Sequence, residues 1–88
     1  MSASSLLRLK VITPRRIVCE ADADEITLPG LDGQIGILPG HRPMVVALGE
    51  GTLSYRAGAE AGEREVRGGY AEIEPERVLV FTELREKV

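Results

Sequence analysis

The sequence predicts an all-β protein, a sandwich or barrel of about eight short strands, and three observations carry that prediction. Apolar residues alternate with polar ones through most of the chain, which is the two-residue period of a strand with one buried face. Turn-forming residues, among ten glycines and five prolines, interrupt this pattern every eight to twelve residues or so. No stretch before residue 82 shows the 3.6-residue apolar period of a helix.

Leu7, Leu9 and Val11 face one way and Arg8 and Lys10 the other, until Thr13-Pro14 stops the first strand. The second reads as one long element. Ile17, Cys19, Ala21 and Ala23 share its inward face opposite Glu20, Asp22 and Asp24, and Glu25-Ile26-Thr27-Leu28 continues it to Pro29-Gly30. Gly30-Leu31-Asp32-Gly33 is a turn by composition, followed by a short apolar element at Ile35, Ile37 and Leu38. Pro39-Gly40-His41-Arg42-Pro43 is a rigid loop, since two prolines remove amide donors and hold their predecessors extended. The uninterrupted apolar run Met44 to Leu48 predicts a fully buried strand, ended by Gly49-Glu50-Gly51.

Thr52 to Arg56 alternates again, and residues 58 to 62 read as a hairpin connection. Glu63 to Arg67 is charged enough for a solvated or edge strand, which Gly68-Gly69 breaks. Tyr70 to Glu74 alternates, Pro75-Glu76 turns, and Val78-Leu79-Val80-Phe81 is the last strand. Thr82 is placed to cap at most a helical stub over residues 84–88.

Eighty-eight residues fit a single domain, with no internal repeat or linker. A 43% hydrophobic and 28% charged composition excludes a disordered tail, and no apolar run reaches the ~18 residues of a membrane-spanning helix. The first five residues lack the basic and apolar regions of a secretory signal, so a cytoplasmic protein is expected. One cysteine and one histidine exclude an internal disulfide and a Cys/His zinc site. A net charge of −3 and three aromatic residues work against nucleic acid as a partner.

Few residues suggest chemistry. Asp22 and Asp24 lie on one predicted strand face ~7 Å apart, near the separation that acid/base hydrolysis uses, but a solvated acidic face is the simpler reading. Gly30, Gly33 and Gly36 have no following helix to aim amides at a phosphate and read as turn residues. His41 has no nucleophile motif or second imidazole beside it and reads as a surface contact, and Cys19 reads as buried core. Arg15-Arg16 is a basic pair in a turn, suited to solvent or an acidic partner. Composition and periodicity alone describe a β-sandwich binding module. A hydrolase built on Asp22 and Asp24 and a single-strand-binding barrel are the weaker alternatives.

The stretch from Leu28 to Pro43, with Gly36-Ile37-Leu38-Pro39-Gly40-His41-Arg42-Pro43 at its centre, resembles a segment of the epsilon subunit of F-type ATP synthases, called delta in mitochondria. Leu9 to Pro14, Gly51-Thr52-Leu53, and Gly68 to Ile73 with Pro75 to Val78 resemble further segments of that family in the same order, over residues 6–83. The resemblance implies a flattened β-sandwich in the central stalk that docks on the gamma subunit and rests on the c-ring, transmitting torque without chemistry of its own. It implies a c-ring contact at Gly30, Leu31, Asp32, Gly33 and Gln34 and a gamma contact at Thr13, His41, Arg42 and Pro43. No catalytic residue, cofactor, metal, nucleic acid or nucleotide is implied, and the location is peripheral, on the cytoplasmic face of the membrane. A free-standing binding module of the same ancestry is the alternative.

Two positions depart from the family pattern. Gln34 replaces a glutamate, which removes one negative charge from the implied c-ring contact, and Arg67 stands where a small residue is common. Family members usually continue into a C-terminal helical pair that restrains hydrolysis or binds ATP, and the end at Val88 predicts a minimal subunit without that regulation.

Overall fold

A computed structural model describes residues 6–83. They form nine strands: β1 (Leu7–Ile12), β2 (Ile17–Ala23), β3 (Glu25–Gly30), β4 (Gly33–Ile37), β5 (Met44–Ala47), β6 (Glu50–Ala57), β7 (Glu60–Arg67), β8 (Tyr70–Glu74) and β9 (Arg77–Phe81). A five-stranded sheet runs β2-β1-β9-β8-β5 and a four-stranded sheet runs β4-β3-β6-β7. All pairings are antiparallel except β1 with β9. The two sheets are not closed into a barrel, so of the two predicted architectures the sandwich is the one formed.

The inner faces supply the core predicted by alternation. Leu7, Leu9 and Val11 of β1 meet Val78 and Val80 of β9 and Ala71 and Ile73 of β8 on one side, and Ile26, Leu28, Ile37, Leu53 and Val66 on the other, all nearly inaccessible. Cys19 is 7% exposed within this cluster, as its inward position predicts.

Three strand readings need correction. The long second strand is two, bringing the total to nine instead of about eight. The chain turns from one sheet to the other at Asp24, whose amide donates to the Arg56 carbonyl (2.7 Å) while its carboxylate accepts the Gly58 amide (2.7 Å). Alternation continues through the corner, so periodicity alone does not reveal it.

Ile17 is 47% exposed, not inward. β1 pairs Val11 with Cys19 but Ile12 with Ile17, and this one-residue bulge puts Ile17 on the outer face while Val18 packs against the core. Met44 to Leu48 is an edge strand, not a fully buried one: Val46 and Leu48 point inward and Val45 is 66% exposed. An apolar run does not reveal whether a second layer covers its other face.

Pro29-Gly30, read as the end of a strand, is the last pair of residues in β3. The β6 ladder covers only Glu25 to Thr27, so Pro29 sits beyond it, and its carbonyl accepts the Gly49 amide at 2.8 Å. The β6–β7 connection is the two residues Gly58 and Ala59, shorter than predicted, and charged β7 is an edge strand as expected. The stub at residues 84–88 lies outside the described residues, and the Thr82 hydroxyl donates to the Gly68 carbonyl at 2.6 Å.

Candidate docking site

The segment Gly30 to Gln34 is the tip of the β3–β4 hairpin, with Leu31 and Asp32 as a two-residue loop between paired Gly30 and Gly33. Gly33 adopts φ +127°, a conformation that favours glycine, and a β-carbon on Gly30 would come within 2.8 Å of the Gly33 carbonyl oxygen. The Leu31 amide donates to Ala47 (3.1 Å), the Gly49 amide donates to Pro29, and Gly30 bridges Leu48. These bonds clamp the hairpin to the other sheet and leave its tip projecting, with Leu31 68% exposed and Asp32 and Gln34 also exposed.

His41, Arg42 and Pro43 lie in the connection from β4 to β5. The Gly40 amide donates to the Pro75 carbonyl (2.8 Å), the His41 amide to the Leu38 carbonyl (3.2 Å), and His41 Nδ1 lies 2.8 Å from the Arg42 carbonyl. Thr13 opens the β1–β2 turn and organises it. Its hydroxyl accepts the amides of Arg15 (3.2 Å) and Arg16 (3.3 Å) and donates to the Arg16 carbonyl (3.1 Å).

Thr13 and the segment His41 to Pro43, implied together as gamma contacts, lie apart. Cross-strand pairing aligns Ile12, Phe81, Tyr70 and Ala47 in one row, while Arg8, Arg77 and Glu74 form a row near the other end. Thr13 follows Ile12 and Pro43 precedes Met44, so they lie at opposite ends of the five-stranded sheet. Four strand residues at ~3.3 Å each put those ends roughly 13 Å or more apart. The hairpin tip, bonded to Ala47 and Leu48, shares the Thr13 end.

That end also holds a feature the sequence reading missed. A cleft of about 500 Å³ is lined by Ile12, Thr13, Pro14, Arg67, Tyr70 and Phe81 among others. Tyr70 and Phe81 stack with ring centroids 5.0 Å apart, and Tyr70 is 44% exposed. The available signal was the run Val78 to Phe81, in which the outward residues Leu79 and Phe81 are as apolar as the inward ones. Arg67, unusual by comparison with the family pattern, pairs with Glu50 across β6 and β7 at 3.6 Å and forms part of this cleft wall.

The remaining candidates have structural partners. Asp22 accepts from Arg8 (3.1 Å) and Asp24 from the Gly58 amide, so the two carboxylates are engaged separately and Asp24 lies at the corner past β2. The hydrogen bond to Asp22, with the charges of Asp22 and Glu20, raises the Arg8 pKa. The Tyr55 phenol, 3.8 Å from the Cys19 thiol, is pushed up by that hydrogen bond and by burial. Among the described residues no group of three or more His, Cys, Asp or Glu side chains is placed to hold a metal ion.

Residues 6–87 match the family described as ATP synthase, Delta/Epsilon chain, beta-sandwich domain. The chain is 42% identical over 80 residues to ATP synthase epsilon chain 2 of Syntrophotalea carbinolica, covering 91% of this chain and 58% of that protein. It is 44% identical over 81 residues to the ATP synthase epsilon chain of Synechococcus elongatus, covering 92% and 59%. It therefore spans somewhat under two thirds of the length of these relatives. A chain in the Euglena gracilis mitochondrial ATP synthase structure shares the fold with a TM-score of 0.83 at 21% identity, covering 93% of this chain and 53% of that one. With the family match running through both sheets and every described residue, the chain belongs to the delta/epsilon family of ATP synthase β-sandwich domains.

Proposed function

We propose that this chain is a non-catalytic central-stalk component of a rotary ATP synthase, docking on gamma and touching the c-ring so that ion translocation is coupled to ATP synthesis. The observation that carries the reading is the family match across residues 6–87, joined by the named epsilon chains that align with 91–92% of this chain. The c-ring contact is the hairpin tip Gly30, Leu31, Asp32, Gly33 and Gln34, and the gamma contacts are Thr13, His41, Arg42 and Pro43. The protein is then peripheral to the membrane, on its cytoplasmic face, through the complex.

The geometry supports this reading in two ways. A tip clamped by backbone bonds to another sheet resists shear and loses little conformational entropy on docking. Exposed Asp32 and Gln34 suit polar or basic loops and require no apolar seal. The separation of Thr13 from His41 to Pro43 means that gamma must reach both ends of the five-stranded sheet to use the whole set.

Capture of a tagged chain from membranes at low salt tests the function. Gamma and c subunits are expected among the retained proteins, and their consistent absence would overturn the reading.

A further inference from the structure

The cleft at the Thr13 end has an apolar wall and lies beside a basic turn. Ile12, Pro14, Tyr70 and Phe81 supply the apolar wall, and Arg67 closes one side. Arg15 and Arg16 follow Pro14 directly, in a turn that the Thr13 hydroxyl holds in place. Both arginines are exposed, and neither joins an ion pair among the described residues. The Arg67 guanidinium has one ion pair among the described residues, the 3.6 Å contact to Glu50, and Glu83 adds a second carboxylate to this region. With Asp32 on the hairpin tip, three carboxylates face three arginines at this end, so its cationic part is the turn itself, where Arg15 and Arg16 have no carboxylate partner among the described residues, in a chain whose net charge is −3.

We propose that this cleft receives a protein segment presenting an apolar side chain flanked by carboxylates. The apolar side chain enters between Pro14 and the Tyr70–Phe81 stack, and the carboxylates meet Arg15, Arg16 and Arg67. This rests on the reading of the chain as a docking subunit and assigns the chemistry that gamma must offer at the Thr13 end.

Charge complementarity selects a local acidic segment over an anionic membrane. Asp32, Glu50 and Glu83 at this end and Glu72 on the outer face repel an extended negative surface, whereas Glu20, Asp22 and Glu74 of that face are offset by Arg8, Lys10 and Arg77, so the favoured contact is a carboxylate confined to Arg15 and Arg16. Arginine forks suit carboxylates bidentately, and the partly exposed Tyr70 ring is an anchor of the kind that dominates interface energetics.

The test measures binding of the chain to the alpha, beta and gamma subassembly of its own organism, stripped of its native epsilon chain, over a range of salt concentrations. Wild-type affinity is expected to fall as salt rises. The double variant Arg15→Glu/Arg16→Glu is expected to bind about tenfold more weakly at low salt, with a flatter salt dependence. Tyr70→Ser is expected to weaken binding without changing that dependence, and Arg56→Gln, on the other sheet where it pairs with Glu25, to leave affinity within twofold. Unchanged melting temperatures establish that each variant is folded.

A double variant that binds like wild type with the same salt slope overturns the proposal and leaves the central-stalk reading intact. So does tighter wild-type binding to phosphatidylglycerol-rich vesicles that the subassembly does not displace. A wild-type chain that fails to bind the subassembly at low salt overturns the central-stalk reading itself, and this proposal with it.

Discussion

Tyr55 shows how one residue's environment departs from its composition. Its ring lies over Gly62 on β7, where a β-carbon would collide with the phenol, and its hydroxyl meets the Cys19 thiol. The Cys19 hydrogen bond and burial raise its pKa above the ordinary value of 10.0. The folded state therefore holds the phenol proton more tightly than the unfolded state does. The resulting stability is fully present below about pH 10, the unfolded value, and is lost as pH rises through the folded one. Phenolate absorbance of the folded chain should show one tyrosine deprotonating late, and Tyr55→Phe should remove that late step. A late step that survives the substitution would assign it elsewhere. Cys19 was legible as buried from its place in the alternation, whereas its pairing with Tyr55, 36 positions away, was not.

At the scale of elements, loops were more legible than strand ends. The two prolines of the β4–β5 connection predict a rigid segment, and the bonds from Gly40 to Pro75 and from His41 to Leu38 hold it in place. Pro43→Gly should weaken docking to gamma by about 1 kcal/mol, roughly fivefold, because the free loop then has more entropy to lose. Titration of the alpha, beta and gamma subassembly with both chains measures this, and equal affinities would remove loop rigidity as a contributor. The corner at Asp24 and the bulge opposite Val11 were invisible to periodicity. The corner is decided by partners distant in the chain, Arg56 and Gly58, and the bulge by the cross-strand pairing with β1.

For the whole molecule, two open sheets share one core, so a central side chain touches both layers. Leu53 of β6 is fully buried among residues of both sheets, and Leu53→Ala should cost about 2–5 kcal/mol. Urea unfolding reads this as a lower midpoint, and a loss below about 1 kcal/mol would contradict a core packed from both layers at that position. The surface pairs contribute much less. Arg8 with Asp22 and Glu20, and Arg77 with Glu74, are exposed, and Arg8→Ala should leave the urea midpoint nearly unchanged.

The sequence by itself determined the all-β class, most strand positions, the inward residues and, through the Leu28 to Pro43 segment, the family. These properties follow from local period, turn chemistry and residue identity, which are all readable along the chain. Tertiary structure decided which strands lie at edges, that Val45 and Ile17 face outward, and that Thr13 and Pro43 stand at opposite ends of a sheet. It also brought Ile12, Arg67, Tyr70 and Phe81, from four separate strands, into one cleft. The physical reason is that pairing partners in a sandwich are chosen by long-range burial, and burial reports on the neighbouring layer, which the period of a single strand does not encode.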